Sequence, residues 1–129
     1  VSRYSDPKYN WEQMREIRSG LEHGVDISKY ADPNYNDRQM WQIKLGLKLG
    51  LDVSKYADPK YNWKQMHEIR TGLLHCVDVN QFADPKLSWK QMEKTRIDLE
   101  KRSEERFRKK IRRIYTSWTK LKNKKGMDF

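Results

Sequence analysis

Residues 57–70 read Ala57-Asp58-Pro59-Lys60-Tyr61-Asn62-Trp63-Lys64-Gln65-Met66-His67-Glu68-Ile69-Arg70, and near-copies begin at Ser5, Ala31 and Ala83. Pro7, Pro33, Pro59 and Pro85 are spaced by 26 residues each time. A self-similar period of this length is the mark of one supersecondary unit stacked on its neighbours. The expected fold is therefore all-α: a short α-solenoid of about four 26-residue repeats, each a helix, a turn and a short helix.

The local signals within a unit agree. Asn10, Asn36, Asn62 and Ser88 are N-cap residues, and Gln13, Gln39, Gln65 and Gln91 follow three residues later, the spacing of a capping box. Tyr9, Tyr35, Tyr61 and Leu87 precede the caps, with Met14, Met40, Met66 and Met92 placed to form a hydrophobic staple. Met14, Ile17 and Leu21 continue one apolar stripe at helical spacing, with Trp11 a turn earlier. Gly24 and Gly50 end the long helix, because glycine accepts the left-handed conformation without a Cβ penalty. Asp26, Asp52 and Asp78 then cap a single helical turn that stops before Asp-Pro. Gly20, Gly46 and Gly72 lie inside the long helix at a cost of about 1 kcal/mol each, which predicts close helix–helix approach.

The boundaries follow. Repeats occupy 2–88, with units at about 5–30, 31–56 and 57–82 and a fourth starting at 83. Asp98 and Arg102 replace the glycines of the fourth unit, so its helix is expected to run on from 88 to 122, leaving 123–129 as a frayed tail. Ser2-Arg3-Tyr4-Ser5-Asp6-Pro7 matches Ser28 to Pro33 and no initiator Met is present, which predicts a C-terminal piece of a larger protein.

The unit resembles a family of short repeats near the C-termini of accessory proteins on conjugative and other mobile elements of gut Firmicutes. The resemblance covers residues 2–102 and is carried by Asp58-Pro59, Gln65-Met66, Ile69-Arg70 and Asp78-Val79. It implies a bacterial cytoplasm and proteins concerned with DNA transfer or host defence. It assigns no activity to any residue.

Composition narrows the function. The 129-residue chain is 36% hydrophobic and 36% charged, so any core is thin. Cys76 is the single cysteine and allows no internal disulfide, no run approaches a membrane span, and no signal-peptide pattern is present. The expected location is cytoplasmic. Residues 1–88 hold 13 Lys/Arg against 12 Asp/Glu, whereas residues 89–129 hold 15 against 6. The positive field is thus concentrated at the C-terminal end.

Arg106, Arg108, Lys109, Lys110, Arg112 and Arg113 surround a seam of Phe107, Ile111, Ile114, Trp118 and Leu121 spaced 4, 3, 4, 3. These cations are the candidate nucleic-acid contacts, with DNA preferred to RNA as the partner. An acidic protein, self-association through the seam, or an anionic membrane as the weakest option would use the same pattern. A solvated helix face with a buried seam is the structural alternative.

Other candidates are weighed the same way. Repeat two has Asp37 in place of Trp, with Trp41, Leu45 and Leu49 one face along, a stripe able to dock a protein partner, a second copy, or the Phe107–Leu121 helix folded back. Alternatively, Trp41 simply replaces the missing Trp. Trp11, Trp63 and Trp89, with Tyr4, Tyr30, Tyr56 and Phe82, could stack bases, but their place beside the apolar stripe favours inter-repeat core. Arg18, Lys44, Arg70 and Arg96 form a basic column near the buried face, expected to stack on Trp and pair with Asp26 or Asp32; a phosphate ladder is the alternative. His23, His67 and His75 lack metal-ligand spacing, and Cys76 stands where sister units have Gly. No nucleophile–base set, phosphate-binding loop or carboxylate pair can be assembled, so no enzyme, cofactor or metal is expected.

Overall fold

The structure is a computed structural model that describes residues 8–125. Among these it is all-helical, with α1 Trp11–Glu22, α2 Asp37–Lys48, α3 Trp63–Leu74 and α4 Trp89–Lys124. One-turn 3₁₀ helices at Ile27–Lys29, Val53–Lys55 and Val79–Gln81 join them. Each α-helix packs on the next in chain order.

The ends of each helix are built as their residues require. All four N-termini form reciprocal capping boxes. At the end of α1, Val25 N donates to Gly20 O at 3.1 Å and Gly24 N to Leu21 O at 3.2 Å, the two bonds of a Schellman motif. Gly24 and Gly50 hold φ of 71° and 73°, and Cys76 holds 59° at the same place in α3. Asp26, Asp52 and Asp78 cap the 3₁₀ turns through Ser28, Ser54 and Asn80 N–H.

Tyr30, Tyr56 and Phe82 from these turns, with Ile17, Ile43, Ile69 and Met40, Met66, Met92 from the helices, form the fully buried core. The helix glycines serve this core differently from the sequence expectation. A Cβ on Gly20 would lie 1.9 Å from the Tyr30 hydroxyl, and one on Gly46 2.1 Å from that of Tyr56. The close approach is therefore by the aromatic side chain of the same unit's 3₁₀ turn. Tyr30 crosses over the helix to donate to Glu16 O at 2.7 Å, and Tyr56 does the same to Gln42 O.

Three further expectations are corrected. Trp11 is 68% exposed, and Trp63 and Trp89 are only half-buried. As first residues of their helices they sit at the rim, while Tyr30, Tyr56 and Phe82 alone of that aromatic set form core; Tyr4 lies outside the described residues. Leu21 is exposed rather than buried. α4 extends to Lys124, so Asn123 and Lys124 are helical, and the rest of the expected tail beyond Lys125 lies outside the described residues.

Candidate nucleic-acid interface

Three members of the basic column, Lys44, Arg70 and Arg96, are structural, but their partners differ from those expected, while Arg18 is exposed. Lys44 Nζ bonds Glu16 Oε2 at 2.7 Å, Arg70 Nε bonds Gln42 Oε1 at 2.9 Å, and Arg96 Nε bonds Glu68 Oε2 at 2.9 Å. Each partner lies 28 residues earlier, on the preceding helix, not at Asp26 or Asp32. Those aspartates cap and turn the backbone instead. The cations over the Trp11, Trp63 and Trp89 rings are Arg15, Arg38, Lys64 and Lys90, which belong to other columns.

A second inter-unit bond is carried by the capping-box glutamines. Gln13 Nε2 donates to Tyr35 O at 2.6 Å, Gln39 Nε2 to Tyr61 O at 2.7 Å, and Gln65 Nε2 to Leu87 O at 2.7 Å. The same side chains use Oε1 to accept from their own N-cap N–H. These clamps make neighbouring units register on one another, and so provide a firm base for whatever α4 carries.

α4 is anchored by its first three turns. Met92 is buried, Leu99 is half-buried, and Arg96 bridges Glu68 and Glu100, which in turn meets His75 Nδ1 at 2.5 Å. Burial pulls the Glu100 carboxyl upward, but the His75 and Arg96 bonds outweigh it, leaving its pKa below the ordinary value.

Beyond this anchor the helix projects. From Lys101 to Trp118 every residue is exposed. It remains helical through good helix formers, an exposed Glu104–Arg108 pair at 3.8 Å, and Lys122 and Lys124 against the negative end of the helix dipole. The structure does not fold α4 back on the Trp41 stripe: Phe107 is 65% exposed, and Ile111, Ile114, Trp118 and Leu121 are also exposed.

At 100° per residue, Arg102, Arg106, Lys109, Arg113, Lys120 and Lys124 fall on one face, roughly 130° around the helix from the apolar seam. They run over roughly 33 Å, about one turn of B-DNA. From Arg106 to Lys125 there are ten Lys/Arg and no Asp/Glu. Arg106, Lys109, Lys110, Arg112 and Arg113 make no ion pair among the described residues. Where α4 leaves the array, Gln81, Leu99, Arg102, Arg106 and Lys109 line a cleft of about 320 Å³ together with Glu105.

The Trp41 surface is separate in character. Trp41 and Trp63 line a cleft of about 410 Å³ with Arg15, Asp37 and Arg38. Trp41 and Leu49 are exposed and Leu45 is half-buried. Trp41 thus shares a groove with Trp63, while Leu49 lies at the far end, as the C-cap of α2. Among the described residues no group of three metal-ligating side chains comes together, and no helix is long and apolar enough to cross a membrane.

The glutamine clamp and the acid or amide opposite each basic residue were missed in the sequence. A readable signal for the latter exists: Glu16, Gln42 and Glu68 recur every 26 residues, two positions before the cation of their own unit and 28 before Lys44, Arg70 and Arg96. Comparison of the chain with family models, curated proteins and solved structures finds no match.

Proposed function

We propose that this chain is a non-enzymatic interaction module, a short α-solenoid of 26-residue units whose projecting basic helix contacts nucleic acid, DNA in preference to RNA. The observation that carries this reading is the arm from Arg106 to Lys125, with ten cations, no carboxylates and almost complete exposure. Phosphates are the ligand such a field attracts without needing base-specific contacts. The repeat family that the sequence resembles adds a setting: the bacterial cytoplasm and a mobile-element protein.

The test is binding of fluorescent duplex and single-stranded DNA at about 50 and 200 mM salt. Six phosphate contacts predict a loss of roughly 10³ in affinity over that range. Arg108, Arg112 and Arg113 changed together to Glu should abolish retention without loss of helicity. Unchanged retention, or no binding at the lower salt, overturns the reading.

The groove between Trp41 and Trp63 supports a second reading as a protein-docking site. It predicts binding that depends weakly on salt and is lost on Trp41→Ala or Leu45→Ala.

A further inference from the structure

The face that each later helix turns to its predecessor is built from the same positions. On α2 these are Met40, Lys44 and Leu47; on α3, Met66, Arg70 and Leu73; on α4, Met92, Arg96 and Leu99. In all three the Met is fully buried, the Leu is half-buried, and the cation is bonded 28 residues back. On α1 the same positions are Met14, Arg18 and Leu21, with Trp11 at the rim. Here Trp11 is 68% and Leu21 51% exposed, and Met14 is only half-buried. Arg18 is exposed and has no bonded partner among the described residues.

We propose that this face of α1 receives one more unit of the same repeat, in tandem, packed as α1 packs on α2 and presenting Glu or Gln opposite Arg18. This rests on the tandem-repeat reading and is independent of the nucleic-acid reading. What covers the equivalent face is shown three times within the structure, and each time the cation meets a carboxylate or a carboxamide.

A second copy of the chain docked head to tail does not fit. The opposite end of the array is α4, where the delivering positions are Gln91, Lys94, Thr95 and Asp98. In α1 to α3 they are Gln, then Glu or Gln, then Ile, then Gly. In that arrangement Lys94 would meet Arg18, and Thr95 would stand where Ile17, Ile43 and Ile69 supply apolar contact. The array is closed at α4 and open at α1.

The experiment places a second copy of residues 5–30 in tandem before Ser5, so that the copied glutamate faces Arg18. The extended chain should gain helical signal for one unit and melt at a higher temperature than the parent. Arg18→Ala should leave the parent midpoint within about 1 °C but lower that of the extended chain by roughly 5 °C or more. Changing the copied glutamate to Lys should have a similar effect, and Arg18→Glu should then restore the midpoint. If the added residues are not helical, the tandem-repeat reading itself fails. If they are helical but Arg18→Ala shifts both chains equally, only the docking proposal fails. Sedimentation that shows the parent to be a dimer, dissolved by Leu21→Glu, would assign the face to a second copy and also overturn the proposal.

Discussion

Changing Gln39 to Glu isolates the clamp between units, because the substitution keeps one half of the side chain's work and removes the other. Gln39 Oε1 accepts from Asn36 N at 2.8 Å, and a carboxylate oxygen can do the same. Nε2 donates to Tyr61 O at 2.7 Å and more distantly to Pro59 O at 3.4 Å, which a carboxylate cannot do. Gln39 is only 6% exposed, so the new charge would face two carbonyls with little water. Losing the bond costs about 1 kcal/mol, and the unpaired acceptor with its desolvated neighbour about 2 more. Protonation sets a ceiling. A glutamic acid with ordinary pKa near 4.3 can be neutralised at pH 7 for about 3.7 kcal/mol, after which its O–H again donates to Tyr61 O. About 3 kcal/mol is therefore expected at pH 7, or roughly 10 °C in melting temperature. The folded-state pKa of this Glu is raised, so the folded state binds more protons than the unfolded one, and the penalty shrinks as pH falls towards about 4. Gln91 is the internal control: it forms the same capping box, is exposed, and has no following unit to clamp. Urea unfolding followed by circular dichroism at pH 7 and pH 4.5 compares the two variants. If Gln39→Glu costs no more than Gln91→Glu within about 0.5 kcal/mol at pH 7, the clamp contributes nothing and the reasoning is wrong.

Three other perturbations test the remaining contacts. Gly46→Ala, which in a free helix would stabilise by about 1 kcal/mol, should instead destabilise by about 2 kcal/mol or more, because the new methyl meets the Tyr56 hydroxyl and Val53; denaturant midpoints decide the sign. Cys76→Gly should stabilise by about 1 kcal/mol, since Cys76 holds a left-handed φ of 59° that glycine adopts freely; a lower melting temperature would contradict this. His67 has its pKa lowered by burial and then by the Arg70 charge, and Arg70 Nη2 lies 3.0 Å from its Nδ1. The unfolded chain therefore binds more protons, so stability falls as pH drops through about 6.5, and His67→Gln should flatten that limb of the stability curve.

What was legible in the sequence was local. Asn10 with Gln13, Gly24 after the α1 stripe, and Asp26 before Ser28 act within a few residues, so spacing alone identified the capping boxes, the helix stops and the 3₁₀ caps. What was not legible crosses between units. Gln and Glu serve a capping box equally well, so the box gave no reason to look for a donor, yet Tyr35, Tyr61 and Leu87 carbonyls require one. Likewise, angular position put Arg70 near the buried face but could not supply the 28-residue offset that sets it on Gln42. Trp63 was misplaced because periodicity gives an angle and not a height: at the first helical residue the same angle lies at the rim.

The fourth unit shows why the basic arm belongs with the array. Two of its departures remove a residue whose contact lies further along in the sequence, and a third removes the helix stop. Asp98 replaces the glycine that Tyr30, Tyr56 and Phe82 cover from ten residues on, and at that distance α4 carries Arg108, exposed on a helix. Lys94 replaces the acid or amide that Lys44, Arg70 and Arg96 would meet. Arg102 replaces the residue of left-handed conformation that stops the other helices, so α4 continues without a break. Two consequences follow from one set of changes: α4 lacks the residues with which α1 to α3 receive the next helix, and the helix runs on, held at its base by Arg96 on Glu68. A cationic helix fixed in direction loses less freedom on meeting a phosphate backbone than a flexible basic tail, which pays its ordering entropy on binding. Restoring the stop should therefore disable the arm with its charges in place. Arg102→Gly with Asp98→Gly should lower helical content beyond residue 102, and it should weaken DNA retention even though only one cation is lost. Retention reduced by no more than one phosphate contact, a salt slope change of about 0.9, would show that charge alone matters and that the rigid continuation does not.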